Sequence, residues 1–419
     1  MLVRSKTKEI LDEWNDYFAL TLKEMLSRKV SITLPKKNAL GLTGVRRSGK
    51  SWMAIELARS CPHDTLYMNF EDPIFISDSD VMNLQELISV YQEFHKKLPK
   101  QVIYDEIQNI PGWERWVRKA IDMHQFRLII TGSNAKLLSS EFSTAISGRC
   151  IEERVWPLSY NEFLTFKNVT PKTTDQHRGL IREYLKWGAF PEVVLEETEL
   201  QKKKLLLQYA EDLVNRDIIN RYEVRNKRAL DQIRVYYAKN VSKLHSYQAL
   251  KNAFQITADL AAEYTSHLVD AFYCFEVFRY HKNMKVQIRD PKKLYLIDTG
   301  IRNVLAPDQE TDLGKLLENI VFIELKRRGF QVSYFKGEAE CDFVVTLHGE
   351  PETVIQVTYS DLSQSQEELI DREVGGLLEA MTTLKLTQGI LINLSRHETL
   401  KVKNKEIKFI PIHEWLLQE

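Results

Sequence analysis

Apolar positions three and four residues apart in "ILDEWNDYFALTLKEML" predict an amphipathic helix over 8–29, ahead of the first core strand. From 38 to 155 the pattern changes to short apolar runs, "ALGLTG", "TLYMNF", "QVIYD", "RLIITG" and "IEERVW", separated by helical stretches near 50–60, 80–97 and 112–124. Strands alternating with helices imply a parallel sheet covered on both faces, hence an α/β fold.

The reading is mostly helical from 157 to 222, followed by three short helices over 229–271. Two strands come next, "CFEVFRY" and "KKLYLID", around the basic turn "HKNMKVQIRDP", and helices followed by such a hairpin suggest a winged helix-turn-helix. The remainder reads as a helix (312–328), three strands ("FQVSYFK", "CDFVVTL", "TVIQVTY"), a helix (365–383), the strand "GILINL" and a short final "IKFIPIHEWL". No solenoid-type repeat is visible.

Composition narrows the function classes. A chain of 419 residues with 43% hydrophobic and 28% charged residues is an ordinary globular protein, long enough for two to four domains. The 58 basic and 58 acidic residues cancel, so attraction to nucleic acid has to be local. Residues 223–305 carry 14 Lys/Arg against 8 Asp/Glu. The four cysteines lie far apart with no CxxC pair, which argues against a zinc site or a disulfide framework. With no signal-peptide pattern and no apolar run of membrane-spanning length, a soluble cytoplasmic protein without membrane partners is expected.

"GVRRSGKS" carries the clearest chemistry. It fits G-x-x-x-x-G-K-[ST] after a strand and before a helix, with Gly44, Val45, Arg46, Arg47, Ser48, Gly49, Lys50 and Ser51 forming a phosphate-binding loop. Backbone N–H groups and the positive helix end suit phosphate, Lys50 suits β/γ oxygens, and Ser51 suits Mg²⁺. Some 55 residues on, "QVIYDEIQNI" ends its strand in Asp105, placed to complete the Mg²⁺ shell, and Glu106, placed to activate water. "RLIITGSN" ends in polar residues, of which Thr131, Ser133 or Asn134 can sense the γ-phosphate; Asn134 is the choice, although helix capping is open to it as well. Arg149 is a candidate arginine finger, in cis or from a neighbouring subunit. The absence of N-K-x-D after the sensor strand favours ATP over GTP. Arg46 and Arg47 contact phosphate or pair with the acidic "NFED" turn.

Several stretches together, "GVRRSGKS", "LYMNFEDP", "VIYDEIQNIPGWERWVR", "LIITGSNAKLLS", "SGRC", "WPLSYNEFL", "WGAFPEVV", "PKKLYLIDTGIRN" and "GKLLENIVFIELKRRG", resemble the archaeal and bacterial AAA-type (AAA_14) ATPases with a C-terminal DUF4143 region. The resemblance implies a P-loop core of the additional-strand, catalytic-Glu class, a winged-helix middle and a restriction-endonuclease-like (PD-(D/E)xK) α/β end. It also strengthens Arg149, which lies in its Gly-Arg motif. The expected domains are an ATPase over 1–156, a helical connection over 157–222, a winged helix over 223–306 and a degenerate nuclease-like domain over 307–419.

A hydrolytic version of that last domain needs an acid on its second strand, an acid or Gln on its third and a Lys two positions later. Asp342 and Gln356 fill the first two places and Glu318 on the preceding helix is a further ligand candidate, but Thr358 stands where the lysine belongs. An inactive module is therefore expected. The presumed recognition helix, 256–271, contains no Arg or Lys, whereas Lys282, Lys285, Arg289, Lys292 and Lys293 sit in the turn, a layout that suits DNA phosphates rather than base edges. The best-supported reading is an Mg²⁺-dependent ATPase acting as a nucleotide-driven switch for its C-terminal region. Two alternatives stay open: a module that holds ATP while binding DNA or a protein partner, and an ATP-regulated nuclease. Oligomers are expected if Arg149 acts in trans.

Overall fold

The structure, a computed structural model, describes residues 4–28, 32–123, 125–133, 148–307, 312–360 and 367–418. Contacts divide the chain into two units, Met1–Trp156 and Pro157–Glu419.

In the first unit the five apolar runs form β1 (Ala39–Thr43), β2 (Thr65–Asn69), β3 (Gln101–Asp105), β4 (Arg127–Gly132) and β5 (Cys150–Arg154). They make one all-parallel sheet in the order β2-β3-β4-β1-β5, so β4 separates the strand leading into the loop from the strand ending in Asp105. Successive strand residues face opposite sides. Val102 and Tyr104 of β3 enter one apolar cluster with α3 (Met82–His95) and α4 (Trp113–Met123), whereas Ile103 enters another with Met53 and Ile55 of α2 (Lys50–Leu57). The helix expected over 8–29 is α1 (Arg4–Glu24), which buries Ile10, Leu11 and Phe18.

The second unit begins with the helices Tyr160–Phe166 and Thr174–Trp187, each started by a reciprocal capping box, Ser159 with Glu162 and Thr173 with Gln176. Three helices, Lys227–Lys239, Tyr247–Phe254 and Ala258–Asp270, accompany an antiparallel sheet of β6 (Leu244–His245), β7 (Cys274–Val277) and β8 (Lys292–Leu296) in the order β6-β8-β7. The segment read as a basic turn contains a short helix, Met284–Arg289, which at six residues is too brief to show helical periodicity in sequence.

The chain ends in a six-stranded sheet. After the helix Leu313–Arg327, β9 (Gln331–Lys336), β10 (Glu340–Leu347) and β11 (Glu350–Val357) pair antiparallel. A parallel partner for β11 requires a crossover, supplied by the helix Glu367–Thr383 before β12 (Gln388–Asn393). The hairpin of β13 (Glu398–Val402) with β14 (Lys405–Pro411) extends the sheet. Asp298 ties two distant stretches of this unit together: it caps the helix Thr299–Leu305 and accepts the N–H of Ala189 at 2.7 Å. Gly188, at φ +73°, has to be glycine there, because a Cβ would lie 2.0 Å from the Asp298 carboxylate. Burial pushes the Asp298 carboxyl up to about 6.

Candidate active site

The loop between β1 and α2 is shaped by backbone that only certain residues tolerate. Gly44 has φ +148°, and a Cβ on it would stand 2.2 Å from the carbonyl oxygen of Val155, so glycine lets the loop pass β5 closely. Arg47 and Gly49 also adopt positive φ, 69° and 92°, which turns successive amides toward one side. Arg28 steadies the back of the loop, donating to the carbonyls of Ser48 at 2.9 Å and Trp156 at 3.1 Å. The Ser48 hydroxyl is buried with no hydrogen-bond partner among the described residues.

Lys50 and Ser51 open α2, where the first backbone N–H groups have no intrahelical acceptor. Lys50 is 4% exposed, and its Nζ donates to the Val45 carbonyl at 3.2 Å and lies 3.8 Å from Glu106 Oε1. A buried ammonium held by one carbonyl and one distant carboxylate retains donor capacity. Together with the orphan Ser48 hydroxyl and a cradle that excludes any Cβ at Gly44, it fits a polyphosphate.

Opposite, the sheet presents the two acids. Asp105 is fully buried and oriented by two hydroxyls: Tyr67 donates to Oδ2 at 2.9 Å and Thr131 to Oδ1. Thr131 also accepts the Glu106 N–H at 3.1 Å, fixing the second acid relative to the first. Glu106 sits in left-handed backbone at φ 52°, and its carboxylate accepts from Gln108. Burial raises its pKa, opposed by Lys50 and reinforced by Asp105. A carboxylate raised in this way is a stronger base near neutrality than an exposed one. Arg46 pairs with Glu71 of the acidic turn at 2.6 Å.

The remaining predicted residues do not all join this cluster. Asn134 lies outside the described residues. Arg149 immediately precedes β5, its carbonyl accepts the N–H of Ala39 at the start of β1, and its side chain pairs with Asp122 at 2.9 Å. It therefore stands at the opposite end of the parallel strands from Gly44, about 20 Å away at strand rise. Of the two placements the sequence left open, this position does not favour the finger in cis. Sequence reasoning missed Tyr67, Gln108 and Arg28: the first two lie inside "LYMNFEDP" and "VIYDEIQNIPGWERWVR" without a residue type that marks them as site residues, and Arg28 lies in no motif.

In the second unit, Asp342 and Gln356 lie on adjacent strands, and the Asp342 N–H donates to Gln356 Oε1 at 3.2 Å. Gln356 donates in turn to Glu373, while the Thr358 hydroxyl meets Ser360. Glu318 reaches the same place from the helix Leu313–Arg327. Lys293, expected in an exposed basic turn, is instead 1% exposed in β8, with Nζ 3.0 Å from Glu318, 2.8 Å from Glu340 and 3.0 Å from Asp342. Lys292 is buried as well, over the Tyr247 ring. Of the five basic residues expected in an exposed turn over 282–293, Lys282, Lys285 and Arg289 are exposed, and Lys292 and Lys293 are corrected to buried strand positions. The available clue was a lysine two residues from Tyr295 in β8, since residues two apart share a face and both meet Glu318.

No described helix is long and apolar enough to cross a membrane, and among the described residues no group of three or more His, Cys, Asp or Glu side chains is arranged to hold a metal ion.

The AAA_14 family, described as an AAA domain, matches residues 36–164. A domain of unknown function, DUF8612, matches residues 178–312, where the sequence resemblance pointed to a different label, DUF4143, for the C-terminal region. An uncharacterized protein of Methanocaldococcus jannaschii, MJ1544, is 30% identical over 417 residues, covering 94% of this chain and 91% of that protein. An uncharacterized protein of Haemophilus influenzae is 30% identical over 394 residues, covering 90% and 94%. Among solved structures, the Thermotoga maritima RuvB Holliday junction branch migration motor is 15% identical, covering 65% of this chain and 88% of that one with a TM-score of 0.30. AMPPCP-bound DnaA from Aquifex aeolicus is 13% identical, covering 62% and 88% with a TM-score of 0.27. Superpositions this loose do not bear on function. The parallel sheet, the phosphate loop and the matched domain agree, and the chain belongs to the AAA-domain family of P-loop ATPases that it shares with MJ1544.

Proposed function

We propose that the chain is an Mg²⁺-dependent, ATP-driven switch whose nucleotide state acts on its C-terminal region. The observation that carries this is the buried, incompletely paired Lys50 facing Glu106 beneath a helix N-terminus. Lys50 and the loop amides of Gly44 to Ser51 bind the β- and γ-phosphates. Ser51 and Asp105 would hold Mg²⁺, which would supply charge neutralisation to the phosphoryl group. Tyr67 and Thr131 keep Asp105 aimed. An incoming γ-phosphate draws Lys50 away from Glu106, and Glu106 takes the proton of the attacking water. Arg149 acts from a neighbouring subunit, so hydrolysis requires an oligomer.

β4 lying between β1 and β3 supports the additional-strand, catalytic-Glu class. Three helices together with the sheet β6-β8-β7 support a winged helix over 223–306, after a helical connection over 157–222. Helix, three strands, helix and strand support a nuclease-like α/β domain over 307–419, the region compared with DUF4143. DNA would meet the second unit through the exposed Lys282, Lys285 and Arg289. The same three residues, beside Met284 at 71% and Ile288 at 58% exposure, favour the second reading, a DNA- or protein-binding module that holds ATP with little turnover.

Phosphate release measured with and without single-stranded and duplex DNA, with Lys50→Ala as control, tests both readings. The switch requires turnover that Lys50→Ala abolishes. Tight ATP binding with no turnover under any condition would leave only the holding module.

A further inference from the structure

Lys293 commits everything it has. An ammonium carries three donors, and three carboxylates, Glu318, Glu340 and Asp342, surround it at 2.8–3.0 Å. The carboxylate oxygens are committed too. Asp342 Oδ2 accepts the Val357 N–H at 3.0 Å, Glu318 Oε1 also accepts the Tyr295 hydroxyl at 2.7 Å, and Glu318 Oε2 accepts Lys315 at 2.8 Å. Lys336 stands 3.6 Å from Glu340 Oε2. Three carboxylates thus face three ammonium groups, and the charge balances locally.

Burial works against the Lys293 ammonium, but Glu318, Asp342 and Glu340 outweigh it and hold the group charged. Burial likewise raises the Glu318 carboxyl, which Lys293 and Lys315 oppose. A divalent cation taking oxygen ligands here would have to displace an ammonium from three partners and leave it buried and uncompensated.

We propose that the Lys293 ammonium is the resident cation of this centre: it fills the place among Glu318, Glu340 and Asp342 that Mg²⁺ takes in a metal-dependent nuclease, and so closes the centre to metal and to phosphodiester cleavage. The lysine absent at Thr358 is not replaced by a catalytic one from β8, because all three Lys293 donors are engaged and its side chain is out of solvent. The acids that would ligate metal in a hydrolytic relative serve here to fasten β8 to β10 and to the helix Leu313–Arg327. Nothing in this depends on ATP turnover.

The test uses the full chain without nucleotide, with Mn²⁺ as the probe. Wild type is expected to bind no Mn²⁺ at this centre by electron paramagnetic resonance and to leave plasmid DNA unnicked. Lys293→Met is expected to melt earlier in EDTA, with much of the loss recovered by Mn²⁺ and the recovery abolished by adding Asp342→Asn. Lys293→Arg, which keeps the charge, is expected to stay indifferent to Mn²⁺. Nucleotide-free Mn²⁺ binding or Mn²⁺-dependent nicking by wild type that Asp342→Asn removes would overturn the proposal. A Lys293→Met protein that melts like wild type and ignores Mn²⁺ would overturn it too. Should Lys293→Met not fold, the wild-type measurements decide alone.

Discussion

Lys50 and Lys293 are both buried lysines facing carboxylates, and they do opposite things. Lys50 leans on a carbonyl at 3.2 Å with its nearest acid 3.8 Å away, beside an unpartnered serine hydroxyl and a helix N-terminus. Lys293 is closed in by three acids within 3.0 Å whose remaining oxygens are also engaged. Residue type and burial are the same; what separates a site awaiting a polyanion from a finished structural knot is the count of donors and acceptors left over.

The largest expected effect lies on the open side. Lys50→Ala should lower both ATP binding and phosphate release by more than about 100-fold, read by a fluorescent nucleotide and a phosphate sensor. Its unfolding midpoint should move less than that of Lys293→Met. Glu106→Gln should separate binding from chemistry: ATP stays bound while turnover falls by about 10²–10⁴. Normal phosphate release from that variant removes the role given to Glu106.

On the closed side, Lys293→Met removes the cation from a buried cluster and should cost about 3–5 kcal/mol in a urea titration, with ATP binding unchanged. The smallest effect concerns pH. Glu106 must be ionised to accept a proton, and burial raises its pKa, with Lys50 and Arg46 among the groups opposing the rise. Phosphate release should therefore be lost on acidification at a higher pH than an exposed glutamate would dictate. Arg46→Met should move that limb further up, as a pH–rate profile would show.

Much of the first unit was legible because its inner strands are buried on both faces. "ALGLT" and "QVIYD" are buried at every position, and such runs announce a parallel sheet without alternation. The loop was legible because its glycines answer a steric demand. Whether Arg149 acts in cis or from a neighbouring subunit was not legible, because its motif carries no statement of which strand end it occupies. The hairpin of β13 and β14 was only partly seen, since an edge pair with alternating exposure reads as polar chain. Lys293 was misread because charge in a turn-like context implies solvent, whereas here its partners come from a helix and a strand more than 20 residues away. Pairing of that kind is tertiary, and no local pattern encodes it.

The contrast between the two lysines can be tested in one titration: Mn²⁺ binding to the full chain, followed by electron paramagnetic resonance with and without ATP. The account predicts one bound Mn²⁺ per chain when ATP is present and none when it is absent, with Lys50→Ala abolishing the signal. A nucleotide-independent Mn²⁺ that disappears in Asp342→Asn, or no Mn²⁺ with ATP present, would contradict it.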